Sequence, residues 1–167
     1  MRTIQMLGLR SFMQSITVIE ASTLHSSDVS ELVQELLIEL EPSSKEEIKA
    51  MKLDSITQNL LENSKIFAFI ARCNETNIGV VTLHECASIY AGGVFGEISE
   101  LYVQPNFRSL KVGDLLINHA IVKGKELGWK RIEVGSPPAN EAPRTIQFYE
   151  KSGFKNTGSR LRRLIEP

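Results

Sequence analysis

Apolar positions along this chain recur in two rhythms, every second residue or every third and fourth, and the rhythms change in blocks. Residues 15–21 alternate and predict a first strand. Residues 28–40 switch to helical spacing, with Val29, Leu32, Val33, Leu36 and Leu40 on one face and Ser27 placed to cap the first turn. Pro42 stops that helix. Ser44 followed three residues later by Glu47 reads as a capping box that opens a second helix running to about Asn63. Two β-rich runs follow, 65–73 and 78–87, joined by the turn-forming Asn74-Glu75-Thr76-Asn77. Residues 94–103 form another strand, which ends before Pro105.

The next change of rhythm matters most. From Leu110 the apolar residues Val112, Leu115, Leu116, Ile121 and Val122 take helical spacing, and Gly128 ends the run. A strand therefore passes through a short loop into a helix start. Such a junction aims unpaired N–H groups and the positive end of the helix dipole at one point, which makes an anion site suited to a pyrophosphate. Arg108 adds a permanent charge at the start of the loop. Residues 130–134 predict a strand, 143–151 a helix opened by Pro143, and Phe154 onward a last strand.

Composition narrows the class without naming an activity. The 167 residues are 42% hydrophobic and 23% charged, enough for one domain with a sizeable core. A net charge of −1 gives no reason to expect nucleic acid or an acidic membrane as partner. No apolar run approaches the length of a membrane span. Residues 1–13 hold no convincing signal-peptide core and read as an N-terminal extension, with Met13 a second candidate start. In the expected hairpin the thiols of Cys73 and Cys86 fall more than about 20 Å apart, too far for a disulfide. Reduced thiols suit the cytoplasm. His25, His84 and His119 are scattered with no metal-binding spacing, so no metal is expected. His119 reads as a half-buried helix residue.

Two segments carry a family resemblance. The first runs from Glu97 through Glu100-Leu101-Tyr102-Val103-Gln104-Pro105-Asn106-Phe107-Arg108-Ser109-Leu110-Lys111-Val112-Gly113-Asp114 to Leu116. The second is Phe148-Tyr149-Glu150-Lys151-Ser152-Gly153-Phe154, about 40 residues further on. In that order they resemble the GNAT superfamily of acyl-CoA-dependent N-acetyltransferases, over roughly residues 66–165. One departure stands out: the family's first loop glycine falls on Lys111, leaving Gly113 alone of the pair. A lysine there is unstrained only if its φ is negative.

The resemblance implies a single α/β domain over residues 1–167. Its mixed sheet would have about six to seven strands, splayed at the fourth and fifth, with about four flanking helices. Acetyl-CoA would be the co-substrate, held by Leu101, Val103, Arg108, Ser109, Leu110, Lys111, Val112, Gly113, Asp114 and Asn140. The pantetheine arm would bond free backbone near Leu101 and Val103. The acceptor would be a primary amine of a small molecule or peptide, attacking directly. A homodimer is compatible with the family. A non-catalytic acyl-CoA-binding regulatory module is the alternative.

Amine acetylation needs a neutral amine, although a lysine-like amine has a pKa of about 10.4. It also needs a polarised carbonyl and a proton for the departing thiolate. The family places a tyrosine near the cofactor sulfur, which here is Tyr149; packing of the last helix is the other use of that ring. For the base, Glu100 stands first, then Glu97, then Glu133. Strand alternation puts Glu97 and Glu100 on opposite faces unless a bulge intervenes. Arg144 reads as a helix-surface residue.

Overall fold

The structure, a computed structural model, describes residues 16–137, 140–158, 160, 163 and 164. Five strands form one sheet in the order β1-β2-β3-β4-β5: β1 Ile16–Glu20, β2 Phe67–Cys73, β3 Thr76–Ser88, β4 Gly93–Val103 and β5 Ile132–Val134. The first four make an antiparallel meander, and β5 lies parallel to β4. Among the described residues the five α-helices are α1 Ser26–Leu40, α2 Lys45–Ala50, α3 Leu53–Glu62, α4 Val112–Glu126 and α5 Pro143–Lys151. A parallel β4–β5 pair requires a crossover, and α4 supplies it.

The β-rich runs and the 143–151 helix form as their patterns predict. Several expectations are corrected. The helix expected over 44–63 is two helices, because Met51 takes extended angles (φ −67°, ψ 139°) and breaks the ladder between α2 and α3. That break yields five helices rather than four. The sheet has five strands among the described residues rather than six or seven, since residues 154–158 carry no strand pairing. Ser27 is not the cap of α1. The helix starts two residues earlier, at Ser26, after a turn in which the Ser22 N–H donates to His25 Nδ1 at 3.0 Å. Ser44 does precede α2 but its side chain makes no capping bond. Residues 1–13 lie outside the described residues, as does Ser15 at the start of the expected first strand.

Strand alternation sorts the core onto the two sheet faces. One face packs Ala68, Ile70, Val80 and Tyr102 against Val29 and Leu32 of α1. The other packs Phe69, Val81, Leu83 and Ile98 against Val112, Leu116, Ile117 and Ala120 of α4 and Tyr149 of α5. Each fully buried aliphatic here contributes about 1.5–3 kcal/mol. Trp129 closes the second core by lying on Gly96, where a Cβ would stand 2.3 Å from its ring, while its indole N–H donates to Glu85 Oε2 at 2.7 Å.

One irregularity in register shapes the site. Thr82 pairs with Glu100 and Leu83 with Ile98, so Ser99 is an extra residue, a bulge in β4. His84 pairs with Glu97. Thr82 and His84 share a face, and the bulge therefore turns Glu97 and Glu100 to that same face.

Candidate active site

The sheet opens at β4 and β5. The register runs Gly96 to Ile132, Glu97 to Glu133 and Ile98 to Val134, and there β5 ends. Strand β4 continues through residues 99–103 with no β5 residue beside it. The outer edge of that stretch, which includes Leu101 and Val103, is unsatisfied by a strand. The stretch leads through Pro105 to the start of α4. The N–H groups of Val112, Gly113 and Asp114 occupy the first turn there, where no intrahelical carbonyl can reach them.

The loop between has two residues at positive φ, Ser109 (67°) and Lys111 (61°). Lys111 is the N-cap of α4 in the left-handed conformation. The condition under which a lysine is unstrained there is thus not met. A side chain in this region costs roughly 1–2 kcal/mol relative to glycine. Gly113 serves packing: a Cβ on it would stand 3.0 Å from the Phe148 ring, so its absence lets α4 and α5 close together. Leu110 is half-buried against the second core, and Asp114 is exposed in the first turn.

Arg108 does not rest over this loop. Its Nε donates to the Val103 carbonyl at 2.9 Å, its Nη2 meets Glu39 Oε2 of α1 at 2.6 Å, and its guanidinium lies 5.7 Å from the Tyr102 ring centre. The expected phosphate charge is therefore engaged on the α1 side, and it occupies a carbonyl that the pantetheine arm was expected to use. Gln104 joins the same clasp, donating to Glu35 at 3.2 Å. Burial, then the charges of Glu35 and Glu39, pushes the Tyr102 phenol up and keeps it protonated.

Tyr149 lies on the other face of the sheet, in the core with α4, with only 9% of its surface exposed. Its ring packs edge-on against Phe148 at 5.3 Å and Phe154 at 5.4 Å. Burial pushes its phenol up to about 12. It is therefore protonated at neutral pH.

On the α1 face, Glu100 lies in the open stretch of β4 and Glu97 in the stretch paired to β5. Thr82 holds Glu100 twice: its hydroxyl donates to Glu100 Oε2 and accepts the Glu100 N–H at 3.2 Å. Arg160 donates to Glu97 Oε1, and the Cys86 thiol points at Glu97 Oε2 at 3.8 Å. Burial, followed by the carboxylates of Glu97 and Glu133, pushes the Cys86 thiol up, so that it carries its proton in the absence of a partner that displaces it. Glu133 approaches Arg131 Nε at 2.9 Å, yet the angle gives no hydrogen bond, so the contact is ionic only. Asn140 and Arg144 are both exposed, before and at the start of α5.

A strand pair that parts beside a helix N-terminus, with a buried phenol on one face and carboxylates on the other, suits insertion of an acyl carrier. The sequence decides which family. The model of the acetyltransferase (GNAT) family matches residues 30–154, three quarters of the chain. The chain belongs to the GNAT acetyltransferase family.

Other comparisons agree with that membership. An uncharacterized N-acetyltransferase from Methanocaldococcus jannaschii is 37% identical over 59 residues, 35% of this chain and 25% of the relative. The match thus spans about a quarter of that relative's length. Among solved structures, an aminoglycoside acetyltransferase from an uncultured soil metagenomic sample has a TM-score of 0.78 at 18% identity, covering 91% of this chain and 99% of that one. A ribosomal-protein-alanine N-acetyltransferase from Brucella melitensis has a TM-score of 0.69 at 17% identity, covering 89% and 99%. A predicted acetyltransferase from Clostridium acetobutylicum, solved with acetyl-CoA, has a TM-score of 0.71 at 18% identity, covering 89% and 96%. At these identities the structures establish the GNAT fold.

Four residues of this GNAT chain near the candidate site were not expected there from sequence. Thr82, His84 and Cys86 lie on β3, whose alternation gives the face they share but not the partner across it. Arg160 reaches Glu97 from a segment expected to be strand, with its guanidinium over Gly135. His119 behaves as expected: it is half-buried, with Nδ1 2.9 Å from the Leu115 carbonyl. No helix among the described residues is long and apolar enough to cross a membrane.

Proposed function

We propose that the chain transfers an acetyl group from acetyl-CoA, as second substrate, to a primary amine of a small molecule or peptide. The observation that carries this reading is the parting of β4 from β5 after Ile98, beside the open first turn of α4. The residues present fit such a substrate. Its phosphates would meet the N–H groups of residues 112–114, with Ser109, Leu110 and Lys111 walling the loop. Its arm would run along residues 99–103, bonding Leu101 directly and Val103 once Arg108 gives up that carbonyl. Asn140, exposed in the loop before α5, would meet the substrate from that side.

Tyr149 and Glu100 then divide the proton traffic. The acceptor approaches from the α1 face, where Glu100 is fixed by Thr82 and takes the amine proton through water. The neutral amine bonds to the thioester carbon and the carbon–sulfur bond breaks. The sulfur receives the Tyr149 proton, and the proton that the new amide nitrogen sheds restores the phenol. Backbone N–H groups of the open edge polarise the carbonyl. Glu97, already bound to Arg160, is less available as a base. The thiols of Cys73 and Cys86 support a reducing compartment such as the cytoplasm.

Lys111 at positive φ and the engaged Arg108 favour a second reading, a non-catalytic acyl-CoA-binding module. An amine library with acetyl-CoA, followed by thiol release, separates the two. Release with any amine establishes the enzyme. Tight acetyl-CoA binding with no release across the library leaves the module.

A further inference from the structure

The α1-facing side of β3 and β4 carries a cluster the acetyl-transfer reading does not use. A ring nitrogen of His84, Sγ of Cys86 and a carboxylate oxygen of Glu97 all lie within 4.8 Å of one another. His84 and Cys86 are two residues apart on β3, and Glu97 pairs directly with His84 across the ladder. The sheet's own register therefore holds the three together. All three are half-buried, so an ion can enter.

We propose that His84, Cys86 and Glu97 form a site for Zn²⁺ or a comparable thiol-seeking divalent ion. A set of one nitrogen, one sulfur and one oxygen selects zinc over magnesium or calcium, which take oxygen ligands. Tetrahedral zinc, with bonds of about 2.0–2.3 Å, places its ligand atoms about 3.3–3.6 Å apart. Cys86 Sγ and Glu97 Oε2 are already 3.8 Å apart. Small side-chain rotations close the remaining gap.

The surroundings supply outer partners of the kind that orient ligands. Ser99 Oγ lies 2.9 Å from His84 Nδ1 and fixes the rotation of the ring. Arg160 takes Oε1 of Glu97, so Oε2 is the oxygen turned toward the sulfur. The bulge that places Ser99 there also carries Glu100 to the same face. Three protein ligands leave a fourth position for water or for a donor atom of another molecule. This site stands apart from the acetyl-transfer reading and does not depend on it.

Metal titrations of the full chain test the site without any activity assay. Zn²⁺ is followed by calorimetry, and Co²⁺ by the near-ultraviolet absorption of a cobalt–thiolate bond. One ion per chain is expected, with the thiolate band present. Cys86→Ser, close to isosteric, should abolish the band and weaken Zn²⁺ at least tenfold. His84→Ala should weaken Zn²⁺ by a similar factor, and Ser99→Ala about tenfold as an outer partner. Cys73→Ser should keep the band. Absence of Zn²⁺ binding at micromolar concentrations in the wild-type chain overturns the proposal. So does binding that survives in both Cys86→Ser and His84→Ala, with folding of each variant checked by circular dichroism.

Discussion

At the scale of single residues, the proposed chemistry turns on one phenol and one threonine. Tyr149→Phe keeps the ring between Phe148 and Phe154 and removes only the hydroxyl. If that hydroxyl protonates the leaving sulfur, kcat at pH 7 falls about 100-fold, a usual figure for a general acid, and acetyl-CoA affinity barely moves. Because the phenol stays protonated to about 12, the wild-type donor is intact throughout pH 6.5–9.5. The deficit of the variant should shrink above about pH 8.5, where a thiolate leaves without help. A variant within twofold of wild type over that range reduces Tyr149 to packing.

The same burial has a stability consequence. The folded pKa, raised above the unfolded value of about 10, means the native state holds this proton more tightly. The contribution is complete below pH 10 and is lost as pH rises toward 12. Urea midpoints at pH 9 and pH 11 should therefore fall more for wild type than for Tyr149→Phe. Parallel falls would mean that the phenol titrates alike in both states. Thr82→Val probes the other side of the opening. It removes both bonds to Glu100 while keeping the shape, so kcat should drop several-fold with thermal stability little changed. Loss of activity that tracks loss of folded protein would instead make Thr82 structural.

At the scale of elements, the strand–loop–helix junction is where sequence and structure agree in outline and differ in detail. The helix start was legible because the apolar rhythm changes at Leu110, and the strand end because Pro105 cannot donate to a ladder. The conformation of Lys111 was not, since φ depends on how the loop must turn to deliver α4 to the sheet. The bulge at Ser99 was legible only as a condition: two glutamates three apart share a face if one residue is extra. Which carboxylate meets Thr82 follows from pairing across β3, a contact far apart in sequence. The break at Met51 and the clasp of Arg108 on Glu39 are tertiary as well, and no local pattern announces them. Lys111→Gly tests the junction. Relief of the left-handed lysine, about 1–2 kcal/mol, is offset by the greater freedom of glycine in the unfolded chain, about 0.4–1 kcal/mol. A net gain of about 0.5–1 kcal/mol in denaturant unfolding is expected, with acetyl-CoA affinity equal or tighter. Destabilisation, or binding weakened as much as in Lys111→Ala, would show that the ammonium itself holds phosphate.

At the scale of the whole molecule, the two cores lie on opposite faces of the sheet, and the opening lies where β4 runs on past β5. The opening is held by what packs behind it. Trp129, on Gly96, pins the start of the β4–β5 pair, while Arg108 ties the far end of β4 to α1. On the proposed reading an acyl-CoA lying between these anchors would touch the sheet and α4 together, a surface that is not assembled in the unfolded chain. Binding should therefore stabilise the fold by mass action, by about 2.7 kcal/mol at a free concentration 100 times the dissociation constant. For a chain of this size that corresponds to a rise of roughly 5–11 °C in Tm. Gly96→Ala serves as the structural counterpart. Its Cβ drives into the Trp129 ring, so it should lower stability by about 1–3 kcal/mol without added ligand. If the opening depends on that pin, its response to acetyl-CoA should also be smaller than that of wild type at equal concentration. A full ligand shift in Gly96→Ala would place the cofactor contacts wholly on the α4 side. No shift in the wild-type chain at millimolar acetyl-CoA would remove the enzyme and the binding-module readings together, while leaving the GNAT fold and the proposed metal site untouched.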